Sequence, residues 1–411
     1  MKQLWLLALG CVAAGSTMWA VTAERPAPAE AHGVLAPYQL PAMGQSDPIA
    51  AIQARIAAQP PGFLELTNLA GAYIQRARAT NDPAWYLLAE QAARTSVARM
   101  PSSNPGAWMA LAQVALARHD FAGAQRCMDR AAVNKPVAVR PLRLTLALAT
   151  GEVAEANRLA DALVADAPGC AVHVQRALAR EARGDVPGAI ADYRWAIARE
   201  QAGAPEPSVQ ARAWLGRLHA RHGRLAMAQD LYVEALRIAP DHAQTLGLLA
   251  DAEQRLGLAD AARIHYLRAK DLGLGAPALV GLGRAPEARA TLQREIAEGG
   301  FGHRRELATL LLADGQAAEA LALMEKEVKL RHDAPTLAAY ARALLAVGRK
   351  AEARHAVARA LATGVEDAAL QQAAAAIALA LGDDQAAAAH IREMRRIDPG
   401  FRAPGAAETG A

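Results

Sequence analysis

His219 and His222 are the pair of side chains in this sequence best spaced for chemistry. Three residues apart, they share a helical face and could supply two ligands to a metal ion. No third ligand accompanies them. The structural reading of His222 is a cap: it lies in the last turn before Gly223, where an imidazole can meet free carbonyls and suits the helix dipole. Cys170 and His173 form a lone thiol–imidazole pair with no third member, and read as a helix start. Gly273 and Gly275, then Gly281 and Gly283, follow no strand, so they are turn glycines rather than a phosphate cradle. Asp383 and Asp384 stand at a turn, where solvated caps account for them. The motifs H-E-x-x-H, G-x-S-x-G and the Walker P-loop do not occur. No catalytic residue, metal ligand set or cofactor site is therefore expected. A metal-dependent enzyme subunit built on His219 and His222 is the weakest of the functional readings.

The elements that carry these residues follow from a repeat. Gly223, Ala228, Tyr232 and Ala235 recur as Gly257, Ala262, Tyr266 and Ala269, each shifted by 34 residues, and Pro240 closes the first set. A period of that length is the signature of stacked helical hairpins. Two helices that cross closely need almost no side-chain bulk where they touch, which Gly216 and Ala228 provide. The turn glycine permits a left-handed backbone at the end of the first helix. The tyrosines fill the wedge between neighbouring hairpins, and Pro240 stops the second helix.

Other segments keep this register with decay. Trp108, Leu111, Ala112, Ala131 and Pro136 make one unit, with His119 and Asp120 at its turn. Gly151, Ala156 and Pro168 make the next, and Gly184, Ala189, Tyr193 and Ala196 another. Gly315 with Ala320, Gly348 with Ala353 and Ala360, and Gly382 with Ala387 and Pro399 continue the series. Gly283 follows Gly257 after only 26 residues, which predicts a hairpin whose first helix, near Ala276–Leu282, is cut short.

From Phe63 to Phe401 the chain resembles the tetratricopeptide repeat proteins. The expected fold is all-α: an α-solenoid of about ten helical hairpins winding into a superhelix. The run Tyr73-Ile74-Gln75-Arg76-Ala77-Arg78 with Asn81-Asp82-Pro83 is similar to the opening unit of exported bacterial members. The resemblance implies a binding scaffold whose ligands lie on the concave face, against the first helix of each hairpin. Carried onto this chain, the implied positions are Met109 and Gln113, then Gln210, Arg217 and Arg221, then Asp251, Gln254 and Arg255, and Arg342 further on. Arginines there offer planar donors for a carboxylate or carbonyl. His219 stands where the family usually places a tyrosine. The Lys/Asn clamp of chaperone-tail binders is missing, because Met109, Ala213 and Gly247 occupy its position. The implied partner is a protein or peptide. The alternative is a biogenesis factor that holds an unfolded client.

Composition agrees with thin helical hairpins: hydrophobic residues are 53% and aromatic residues 4% of 411, so the core is built mostly from Ala and Leu. With 45 basic and 41 acidic residues, the net charge of +4 does not indicate a nucleic-acid binder. Met1-Lys2, the apolar run Leu4 to Val21 and the small residues Val21-Thr22-Ala23 read as an export signal cleaved before Glu24. The other reading is an inner-membrane anchor, residues 4–21, with the solenoid outside the cytoplasm. Either places the protein at the cell envelope, the first in the periplasm. Cys127 and Cys170, two units apart, are too distant for a disulfide and read as free thiols, and Cys11 lies in the leader. The expected layout is residues 1–23 as signal or anchor, 24–62 as a Pro/Ala-rich linker with a short helix, and 63–274 as an N-terminal repeat array. Residues 275–300 form a truncated hairpin, 301–401 a C-terminal array and 402–411 a tail.

Overall fold

The computed structural model describes residues 47–58, 60–80, 82–200, 205–297 and 303–401. The leader with Cys11, most of the linker and the tail lie outside the described residues. Among those described, 21 helices follow one another and no strand occurs. A leading helix α1 (Pro48–Ala58) is followed by ten hairpins. The first three are α2 (Phe63–Thr80) with α3 (Ala84–Arg99), α4 (Pro105–Ala117) with α5 (Phe121–Ala132), and α6 (Arg140–Thr150) with α7 (Val153–Asp166). Next come α8 (Cys170–Ala182) with α9 (Val186–Ala198), α10 (Pro205–Arg221) with α11 (Leu225–Ile238), and α12 (Ala243–Arg255) with α13 (Ala259–Asp271). The short α14 (Gly275–Gly281) pairs with α15 (Ala285–Ala297), and α16 (Arg304–Ala313) with α17 (Ala317–Glu327). The last two hairpins are α18 (Ala334–Ala346) with α19 (Lys350–Leu361), and α20 (Ala368–Ala380) with α21 (Asp384–Ile397). None of these helices is long and apolar enough to cross a membrane.

The repeat residues act locally as their types require. Ala156, Ala189, Ala228, Ala288, Ala320 and Ala353 are all fully buried where the second helix of a hairpin meets its neighbours. Tyr232 is 1% exposed, and its ring lies so near Gly216 that a Cβ there would be 2.5 Å from it. Aspartates start many of the helices. Asp120, Asp185, Asp333, Asp367 and Asp383 accept from the backbone N–H of Gly123, Gly188, Thr336, Leu370 and Ala386, at 2.8 to 3.0 Å. Each such cap contributes about 1 kcal/mol. The seven residues of α14 make two turns where the thirteen of α12 make nearly four.

The stack does not run on as an open groove. It winds until hairpins three to five meet the ends of hairpins eight to ten. Thr150, ending α6, accepts a hydrogen bond from His332 N at 2.8 Å. The turn at Gly184 abuts Gly364, between α19 and α20. The end of α10 reaches this same loop from the next hairpin: Arg221 donates to Glu366 O at 2.9 Å, and His222 Nε2 lies 3.1 Å from Glu366 Oε2. Asp398, after α21, takes Arg255 at 2.6 Å and stands against Gly223. The turns inside hairpins three, four and five thus pack on the loops leaving hairpins eight, nine and ten, a constant offset of five. One superhelical turn closes on itself along this seam.

Candidate functional site

Closure converts the concave face into a chamber of about 990 Å³, lined by the first helices of successive hairpins from α6 to α20. Leu148, Val280, Leu292, Leu310 and Val365 give it apolar walls, among which charged side chains are set. Most of these charges are already matched. Glu181, at the end of α8 and 5% exposed, accepts from Tyr193 Oη at 2.5 Å, Arg217 Nη2 at 3.2 Å and Arg221 Nη1 at 3.3 Å. Arg221 reaches Asp367 as well, at 3.3 Å. Arg305 pairs with Glu306 at 2.8 Å and approaches Asp333 at 3.7 Å. Asp251 accepts the hydroxyl of Tyr266 at 2.5 Å, and burial pushes its carboxyl above the ordinary range. Arg342 lines the same space with no acceptor among the described residues, and its Nε is buried without a hydrogen-bond partner. Burial pulls its guanidinium down from the usual value.

The positions carried over from the resemblance divide between two places. Arg217, Arg221, Asp251, Gln254 and Arg342 come together on the chamber wall. Arg255, carried over with them, does not join Arg217 and Arg221 on that wall. It lies at the far end of α12, donates to Ala220 O at 2.8 Å and holds Asp398 across the seam. Met109, Gln113 and Gln210 also fall outside the chamber lining. Gln113 accepts from Arg78 at 3.0 Å, and Gln210 donates to Glu206 at 2.6 Å. Sequence reasoning missed Glu181, Arg305, Glu306, Asp333 and Asp367. Glu181 carried a usable signal, since it precedes Arg217 by 36 residues, close to one repeat. Arg305 and Glu306 follow the shortened α14, where the register is broken.

The two histidines at the end of α10 have separate surroundings. His219 is 2% exposed, and burial, with Arg224 and Arg194 nearby, pushes its imidazole down to about 4. His222 donates from Nδ1 to Leu218 O at 2.8 Å and turns its other nitrogen to Glu366. Among the described residues no group of three or more His, Cys, Asp or Glu is placed to hold a metal ion. His173 stacks on Trp195 with ring centroids 3.5 Å apart, and its Nδ1 bonds Gly169 O at the start of α8. Burial pushes the neighbouring Cys170 thiol up to about 11, well away from a reactive thiolate. Cys127 and Cys170 are both free thiols.

Residues 174–243, from within α8 to the first residue of α12, match the model of the tetratricopeptide repeat family. The chain is similar to the crystal structure of PilW, a type IV pilus biogenesis factor, at 18% identity and a TM-score of 0.33, covering 46% of this chain and 92% of that one. It is similar to yeast Tom70 at 12% identity and a TM-score of 0.34, covering 85% of this chain and 88% of that one. With PilF of Pseudomonas aeruginosa the identity is 20% and the TM-score 0.30, over 48% of this chain and 95% of that one. No curated protein matches the sequence.

Proposed function

We propose that this protein is a non-catalytic scaffold of the bacterial cell envelope that holds an extended segment of a protein partner against its inner helices. The convergence of Arg217, Arg221, Asp251, Gln254 and Arg342 on one chamber carries this reading. A volume of about 990 Å³ lies at the upper end of the range for small-ligand sites, so it admits a stretch of chain and not a folded domain. The polar side chains there offer hydrogen bonds to a peptide backbone, and the apolar walls take its side chains. Glu181, Glu306 and Asp367 are each engaged by an arginine, which suits positioning more than proton transfer. The envelope location is motivated by the apolar leader with its small-residue cleavage pattern.

The test is a photo-cross-linker placed at Thr309, on the chamber wall, or at Ile264, 62% exposed on an outer helix. With the full chain in its source cell, position 309 should yield a discrete cross-linked protein and position 264 should not. Capture only from 264 would put the partner on the outer surface and overturn the reading. A smear of many products from 309 would instead favour a holder of unfolded clients. A reporter enzyme that works only outside the cytoplasm, fused after residue 60, should be active. Activity only from a cytoplasmic reporter would remove the envelope from the proposal.

A further inference from the structure

We propose that the chamber selects a ligand with an apolar body and one carboxylate, and that Arg342 receives the carboxylate. The inference rests on the chamber being a ligand site and names the chemistry it takes. Four arginines line it, and three are neutralised in place: Arg217 by Glu181, Arg221 by Glu181 and Asp367 together, and Arg305 by Glu306. The fourth, Arg342, has neither hydrogen bond nor ion pair among the described residues, and its Nε is buried and unsatisfied. A desolvated charge without a partner is costly, and proteins pair such groups or supply the partner by binding. The acids facing the chamber cannot serve. Asp367 is the one whose field reaches Arg342, yet it binds Arg221 and caps α20 through Leu370 N. Glu306 and Asp333 belong to Arg305, and Asp251 to Tyr266. Asp333 also holds Arg331 at 3.0 Å and caps α18. An incoming carboxylate would meet a planar donor group matched to it in shape, and Val280, Leu292, Leu310 and Val365 would receive the apolar body.

Such a carboxylate can end a free acyl chain or a peptide, and the experiment separates the two. Sodium decanoate and decanol are titrated into the full chain by calorimetry. Decanoate should bind at least about tenfold more tightly than decanol, the gain expected of a hydrogen bond to a charged group. In Arg342→Gln that preference should vanish while decanol binding is kept. Equal binding of the two by the unaltered chain, a preference that survives in Arg342→Gln, or no decanoate binding would each overturn the proposal. An apolar hexapeptide and its C-terminal amide are then set in competition with decanoate. Displacement by the acid alone identifies a chain end as the source, and no displacement by either identifies a free acyl acid. Arg342→Met should melt no lower than the unaltered chain, since no partner is lost. A clear drop in Tm would assign Arg342 a structural role and overturn the proposal. Cross-linking from position 309 that persists in Arg342→Gln, with no decanoate preference in the unaltered chain, would leave the scaffold reading intact and sink only this one. Decanoate binding without any cross-linked partner would do the reverse.

Discussion

Gly184 and Gly364, 180 residues apart in sequence, lie backbone against backbone across the closure of the superhelix. Both have positive φ, at 82° and 83°. A Cβ on Gly184 would run into the carbonyl oxygen of Gly364, and a Cβ on Gly364 would stand 2.7 Å from Arg183 O. The turn glycine Gly348 has the same φ of 82° and open space around it. The pair separates two demands that one residue type meets: a left-handed turn, and room for another backbone.

That separation gives the first prediction. Gly348→Ala should cost about 1–2 kcal/mol, the penalty of a left-handed backbone with a Cβ. Gly184→Ala should carry the same penalty and in addition push the two turns apart, for a total about 1–3 kcal/mol larger. Urea denaturation of both variants checks this. Equal midpoints would mean that the closure bears no weight at Gly184.

Asp398 is the ionic pin of the same closure, 1% exposed and bound to Arg255 at 2.6 Å. Asp398→Asn should weaken it by about 1–3 kcal/mol, the range for losing a hydrogen bond between charged groups. Helix content should hold, while the radius of gyration from solution scattering should rise as the ring relaxes. An unchanged radius together with an unchanged midpoint would show that the pin is dispensable.

Helix contact inside a hairpin is tested by Ala228→Leu. Ala228 is fully buried, so the larger side chain should cost on the order of 1–3 kcal/mol. Ala388→Leu, on the exposed side of α21, should stay within about 0.5 kcal/mol. Matching thermal unfolding of the two variants would contradict the register.

Acid should loosen the fold through one buried and one half-buried imidazole. His219 is pushed down from 6.5 to about 4, and His119 likewise, with burial the main cause in both. In the unfolded chain they take up protons at higher pH than in the folded one. Their stabilising contribution is therefore complete above about pH 6.5 and is lost as pH falls from there to about 4. For His219 the loss is at most about 3 kcal/mol. His219→Phe should flatten part of this decline in a series of Tm against pH. An identical slope would assign the acid sensitivity to other groups.

The hairpins were legible in the sequence because their packing is local and repeats in phase. Gly223 and Gly257 end helices in the left-handed conformation, and Ala228 and Tyr232 are buried as their spacing required. The closure was not legible. It depends on small rotations between hairpins that accumulate over five units, and the residues it joins, such as Thr150 and His332, share no period. The same cause limited the site. Helical register brought Arg217, Arg221 and Arg342 to the inner wall, but it could not show that Arg255, one repeat beyond Arg221, ends at the seam.

The offset of five also bears on how this chain can change in length. An open array of repeats gains or loses a unit at either end or in its middle with little consequence, since each unit touches only its neighbours. Here the turn of hairpin four must meet the loop after hairpin nine, and its neighbours on each side must keep step. Duplicating or deleting one unit between them would shift every such meeting at once, placing Gly184 opposite a residue with a side chain and Asp398 out of reach of Arg255. The number of units in the ring is thus fixed by its own geometry, while units before the ring are free to vary.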